Sequence, residues 1–210
     1  NCTSIMVTPG ASVDGASMTS HSCDSNTDRT WMNKVPRRDW PQGEVCPIWH
    51  HSKTTTGPDD HGEGPAGTIP QVSTTWGYLN AAYPIMNEHQ LAIGETTIGG
   101  RKELKSDVGL LDAPELFPLC LERARTAREA IHVLDELTRE YGYIDWGESF
   151  TFADPGEVWL LEVYGPGEGR KGAVWAAQRI PDGHVSVSAN ASRLRHLDLD
   201  QPDSFLASAN

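Results

Sequence analysis

Between residues 149 and 190 the chain alternates β-prone runs with turns that leave it few options but to reverse direction. The runs span 149–153, 157–163, 173–179 and 184–190. They are separated by Asp154-Pro155-Gly156, by a connection containing Gly165-Pro166-Gly167-Glu168-Gly169, and by Pro181-Asp182-Gly183. Pro fixes its own φ and Gly accepts φ > 0, so each connection favours a tight reversal, and the segment predicts an antiparallel meander of four strands. Such a meander has an apolar face that another layer must cover, which limits the chain to strand-rich folds with helices packed on a sheet.

The helices precede the meander. Asp112-Ala113-Pro114 opens a first one, with Pro tolerated in the first turn and Pro118 as an irregularity. Thr126 and Glu129 have the spacing of a capping box for a second. Ala127, Ala130, Ile131, Leu134, Leu137 and Tyr141 then recur at helical spacing until Gly142. Upstream, residues 71–79 and 90–97 read as two strands of a hairpin. Residues 26–70 are dense in Pro, Gly, Thr, Asp and His without a sustained period, and read as an irregular insertion or flap anchored by Trp31, Trp40 and Trp49. The tail from Asp198 reads as the start of a helix. Helices on one side only would leave a sheet face open to water, so the folded unit is expected to include more polypeptide than these 210 residues.

The chemistry concentrates at the start. In residues 2–24 a β-prone, nearly continuous apolar strand, Thr3 to Thr8, turns through Asp14-Gly15 and returns to Asp24 as a hairpin. Its strand composition suits one covered on both faces. The hairpin carries a thiol, Cys2, at one end and a carboxylate near the other. A thiol beside its own free α-amine has a built-in base, since an α-amine titrates at roughly 7.7 to 8.0. Asn1 holds that amine in a peptide bond, so the sequence is expected to be a precursor or otherwise inactive form.

Seventeen basic against twenty-nine acidic residues give a net charge of −12, which argues against nucleic acid as a partner. No stretch approaches the roughly 20 apolar residues of a membrane span. The four cysteines fit no zinc spacing; Cys120 reads as a buried thiol, and Cys23 and Cys46 as a disulfide if the compartment is oxidising. His50, His51 and His61 near Cys46 read as a solvated loop rather than a metal site.

An ordered series of short motifs gives these features a common frame. Cys2-Thr3, Asp14-Gly15-Ala16, Met86-Asn87-Glu88-His89-Gln90, Gly94-Glu95-Thr96-Thr97 and Gly99-Gly100-Arg101 are followed by Gly147-Glu148-Ser149-Phe150, Ala173-Val174-Trp175 and Ser188-Ala189-Asn190. The series resembles the dipeptidases among the N-terminal-nucleophile (Ntn) hydrolases with cysteine as nucleophile, and covers nearly the whole chain. The resemblance implies an α+β fold of the αββα four-layer type with mainly antiparallel sheets. Residues 1–210 would form the N-terminal portion of that domain, because family members are about twice as long.

It also implies roles. Cys2 would be the nucleophile, its freed α-amine the base, and Asp24 the acid that orients the amine. Asn87 would bind the oxyanion, and Asn190 would sit beside the nucleophile. His21 would take the place of a basic residue found in many relatives, and Glu95 would recognise a substrate's amine. On residue type alone Asp24, Asn87, Asn190 and Glu95 are equally at home as turn, loop or strand residues. No metal or organic cofactor is implied.

The expected reaction is hydrolysis of short peptides through an acyl-enzyme. Hydrolysis of a non-peptide acyl-amide conjugate is the alternative within the superfamily, and a secreted binding protein with a Trp-rich recognition loop is the alternative of another class. Expected partners are a short peptide, the C-terminal remainder of the same precursor and further copies in a homo-oligomer. The expected compartment is extracellular or the cell envelope.

Overall fold

A computed structural model describes residues 2–24, 31–49 and 64–209. Among these the strands are β1 (Cys2–Val7), β2 (Met18–Cys23), β3 (Asn33–Val35), β4 (Arg38–Asp39), β5 (Val45–Ile48), β6 (Gly67–Pro70), β7 (Thr74–Thr75), β8 (Tyr78–Asn80), β9 (Met86–Asn87) and β10 (Ala92–Thr97). Helices α1 (Ala113–Arg123) and α2 (Ala127–Tyr141) come next. Strands β11 (Gly147–Ala153), β12 (Val158–Tyr164), β13 (Val174–Arg179), β14 (Val185–Ser188) and β15 (Phe205–Ala207) follow. The fold is α+β, and its strand pairs are antiparallel.

Eight strands form a large sheet in the order β15-β13-β12-β11-β10-β9-β8-β3, and three form a small sheet in the order β14-β1-β2. The helices lie on one face of the large sheet. Leu116, Phe117, Ile131 and Leu134 meet Phe150, Phe152, Trp159 and Leu161 in the main core, with about 1.5–3 kcal/mol from burial of each large side chain. The small sheet lies on the opposite face, where Met6 packs among Ala92, Ala153, Val158, Leu160 and Ile180.

The helix signals hold. Asp112 caps α1 by accepting from Glu115 N at 3.2 Å, and Thr126 caps α2 by accepting from Glu129 N at 3.2 Å. The Glu129 carboxylate reaches back to the Arg125 N–H at 2.7 Å, and Gly142 ends the helix with φ +78°.

Several expectations are corrected. The four-strand meander is three strands, β11 to β13. The fourth run leaves the sheet and pairs with β1 instead, and β15 takes its place beside β13 where a helix was expected. The cause lies in the Pro181-Asp182-Gly183 turn. Its Asp182 accepts from Gly10 N at 2.7 Å, and the neighbouring His184 O accepts from Thr8 N and Oγ1, so the turn is tied to the first hairpin. Strands 71–79 and 90–97 are not direct partners, because β9 lies between β8 and β10.

Parts of the 26–70 segment lie outside the described residues. Its described portion supplies the edge strand β3 and buries Ile48 and Ile69 in the main core, so it is more than a flap. Nor is β1 covered on both sides among the described residues: Ile5 and Val187 are 44% and 46% exposed on the outer face of the small sheet.

Candidate active site

Pairing places Cys2 at the end of β1, between Cys23 of β2 and the chain leaving β14. Strand alternation puts it on the same face as buried Ser4 and Met6, so its side chain turns toward the large sheet. The Cys2 N–H donates to Asn190 Oδ1 at 2.7 Å, and Asn190 Nδ2 donates to the Thr97 carbonyl at 2.7 Å. Asn190 adopts φ +50°, a conformation that Asn accepts more readily than most side chains. One amide thus ties the Cys2 backbone to the end of β10.

Hydroxyl contacts lock the same seam. Ser4 Oγ donates to Glu95 O at 2.8 Å, Thr96 Oγ1 and Ser188 Oγ are 3.0 Å apart, and Thr19 Oγ1 and Thr151 Oγ1 are 2.6 Å apart across β10. Gly94 makes this approach possible: a Cβ there would lie 2.7 Å from Thr151 Oγ1 and 3.2 Å from Thr19 Oγ1. Buried polar pairs fix the relative position of two sheets more closely than apolar packing does.

Burial, then the charge of Glu95, pushes the Cys2 thiol up from its ordinary range, against the pull of its bonds to the Thr97 backbone and to Cys23. At neutral pH it is therefore a thiol rather than a thiolate. His21 does not supply positive charge to the site, because burial lowers its pKa and outweighs the attraction of Glu95. Its ring stands edge-on to Tyr83, with centroids 5.7 Å apart, and beside Phe117 at 6.5 Å. His21 also lines a groove of about 450 Å³ together with Cys23, Trp31, Met32 and Tyr83.

The structure thus gathers Cys2, Asn190 and His21, with Glu95 adjoining them on the helix side of β10. Asp24 follows Cys23 and is exposed at the same end of the small sheet. Asn87 is a correction. It is buried at 4% exposure; its Nδ2 donates to Leu121 O and Ala124 O, both at 2.8 Å, and its Oδ1 accepts from His89 N at 3.0 Å and Leu91 N at 3.1 Å. Both amide hydrogens and both lone pairs are in use. Asn87 clamps the end of α1 to the β9–β10 turn and has no donor left for an oxyanion.

None of the four cysteines is in a disulfide. Cys23 faces Cys2 across the hairpin, and Cys46 belongs to the separate β5–β6 pair, so the expected Cys23–Cys46 disulfide is not formed. His50, His51 and His61 lie outside the described residues. Among the described residues no three His, Cys, Asp or Glu side chains converge as a metal would require, and no helix is long and apolar enough to cross a membrane.

Two groups escaped the sequence reading as site residues. Thr97 anchors both Cys2 and Asn190. Glu148 shares the helix-facing side of β11 with Phe150 and Phe152 and adjoins Glu95. The signal for Glu148 was present, because a Glu at two-residue spacing from two Phe stands on an apolar face.

The sequence profile of peptidase family C69 matches residues 1–210. A probable dipeptidase of Latilactobacillus sakei is 24% identical over 98% of this chain and 42% of its own length. A probable dipeptidase A of Streptococcus pyogenes serotype M1 is 26% identical over 100% of this chain and 43% of its own length. The chain therefore spans less than half the length of these relatives.

Proposed function

The chain belongs to peptidase family C69, and from that premise we propose that it is the N-terminal portion of a cysteine dipeptidase acting through Cys2. The observation that carries this is the Cys2 N–H held at 2.7 Å by Asn190, itself bound to Thr97. That bond fixes the one nitrogen that becomes an α-amine when the bond before Cys2 is cut. The thiol is raised and protonated, and the freed amine is the base it lacks. Attack on a peptide carbonyl forms an acyl-enzyme; the amine returns the proton to the leaving amino group, and water then releases the acyl product. Asp24 orients the ammonium form from the end of the hairpin. On this mechanism an acylated Cys2 nitrogen cannot serve as the base.

We further propose that the fold is the four-layer αββα sandwich of the Ntn hydrolases. The helices and two sheets supply three layers. A fourth covers the outer face of the small sheet, where Ile5, Met18, Val185 and Val187 are 44–56% exposed. Relatives more than twice as long have the chain to provide it.

The test is a substrate panel of dipeptides and acyl-amide conjugates with processed protein and its Cys2→Ser variant. Dipeptide hydrolysis that disappears in a folded Cys2→Ser variant is the expected result. Activity confined to the conjugates would overturn the dipeptidase assignment, and unchanged turnover in Cys2→Ser would overturn the nucleophile.

A further inference from the structure

β10 and β11 pair with Glu95 opposite Phe150 and Thr97 opposite Glu148. Alternation puts Glu95 and Glu148 on the helix-facing side as diagonal neighbours, close enough for long side chains to meet. They are only 2% and 4% exposed. Among the described residues, neither carboxylate oxygen of Glu95 has a hydrogen-bond partner, nor does Glu148 Oε1. Two buried carboxyls side by side have a proton on Glu148 as their shared donor, and a cation entering between them would replace that donor for both.

Both side chains line a cavity of about 80 Å³ with Tyr83, Pro114, Phe117 and Asp145. A water takes about 30 Å³ of liquid volume, so the space holds two or three waters, or an ammonium group with its first carbon. Among the described residues no Lys or Arg lines it. Tyr83 and Phe117, with ring centroids 5.4 Å apart, add aromatic walls of the kind that attract cations. Burial and the neighbouring Glu95 side chain push Glu148 up to about 11, so Glu148 holds its proton at neutral pH.

Glu95 connects the pocket, on the helix side of β10, to the strand that carries Cys2. Glu95 lies two residues before Thr97, its carbonyl holds Ser4 Oγ at 2.8 Å, and its charge acts on both Cys2 and His21.

We propose that Glu95 and Glu148 together form a receptor for a primary ammonium group, and that the group is the free α-amine of the peptide substrate. This rests on Cys2 being the nucleophile. An α-amine is two bonds from the carbonyl that the thiol attacks, which suits a small pocket and directs the first side chain into the larger groove that His21 lines. A side-chain amine would place the carbonyl several bonds further away. Glu148 is thereby a second specificity-determining residue, and the enzyme removes a single residue from a free N-terminus.

Two measurements test this. The first is NMR titration of the processed Cys2→Ala protein with glycinamide, N-acetylglycinamide and Nα-acetyl-lysine amide. Glycinamide is expected to bind. Losing its charge by acetylation, or replacing Glu95 by Gln, should weaken binding about ten- to hundredfold, the range for hydrogen bonds to charged groups; Glu148→Gln should weaken it less, since Glu95 remains. Equal binding of glycinamide by Glu95→Gln would overturn the pocket, and preference for the lysine amide would overturn the α-amine assignment.

The second measurement is hydrolysis of free and N-acetylated dipeptides by the processed protein with Cys2 intact, which needs no variant to fold. Equal rates would overturn the pocket while leaving the hydrolase standing. Glu95-dependent glycinamide binding without any peptide hydrolysis would leave the ammonium pocket standing and overturn both the hydrolase and the substrate α-amine assignment.

Discussion

Replacing Asn87 by Ala separates a structural role from a catalytic one. In the folded protein the side chain satisfies the carbonyls of Leu121 and Ala124 and the N–H groups of His89 and Leu91, all from a position 4% exposed. Truncation leaves these backbone groups without their partner. A buried group left unsatisfied costs about 1–3 kcal/mol, and water entering the space recovers part of that, so a net loss of about 3 kcal/mol is expected. In a chain of this size each kcal/mol moves Tm by about 2–4 °C, which gives a fall of about 6–12 °C. Thermal scans and urea unfolding measure the loss, while kcat/KM at low temperature measures what the remaining folded protein does. The expected result is a large fall in Tm with turnover per folded molecule changed only a few-fold. An unchanged Tm with kcat reduced about 10²–10³-fold is the signature of a lost oxyanion donor and would refute the structural assignment.

The other predictions probe the seam and the acidic pair. Asn190→Gly keeps the φ of +50° but removes both hydrogen bonds, so kcat/KM should fall about 10–100-fold with Tm nearly unchanged; parent-like kinetics would remove Asn190 from the site. Gly94→Ala drives a Cβ to 2.7 Å from Thr151 Oγ1 and must part it from Thr19, costing about 1–3 kcal/mol and lowering kcat/KM with the stability. Glu148 binds a proton in the folded state up to about 11 but only to about 4.5 when unfolded, so its contribution to stability is lost as pH rises through that window. Glu148→Gln should therefore gain stability relative to the parent from pH 5 to pH 9 in urea midpoints, whereas parallel curves would contradict the buried proton. His21 has the opposite sign. Its lowered pKa gives stability that is full above about 6.5 and lost as pH falls, and His21→Phe should flatten that acid limb of the urea midpoints.

Local signals were legible in the sequence because their causes are local. Asp112 and Thr126 cap helices that begin one residue later, and Gly142 stops α2 with its own φ. The strand runs of the meander fell close to where they were read. The partner of β14 was not legible, because a Pro-Asp-Gly turn looks the same whether the next strand returns to its own sheet or crosses to another. What decides it is the bond from Gly10 to Asp182, across 172 residues of chain. Asn87 was misassigned for a related reason: its motif marks the position, but its two acceptors come from the end of a helix 34 and 37 residues away. Cys2, Asn190 and Glu95 were legible only as separate motifs. The pairing of Glu95 with Glu148 needed the β10–β11 register.

The central claim is that Cys2 becomes both the nucleophile and the amino terminus. The direct measurement is to label active protein with iodoacetamide near neutral pH, follow the loss of peptide hydrolysis, and identify the modified residue by N-terminal sequencing and intact mass. The prediction is a chain that begins at Cys2, carries one label on that residue and loses activity in proportion to labelling. Active protein that still begins at Asn1, or full activity with Cys2 labelled, would contradict it.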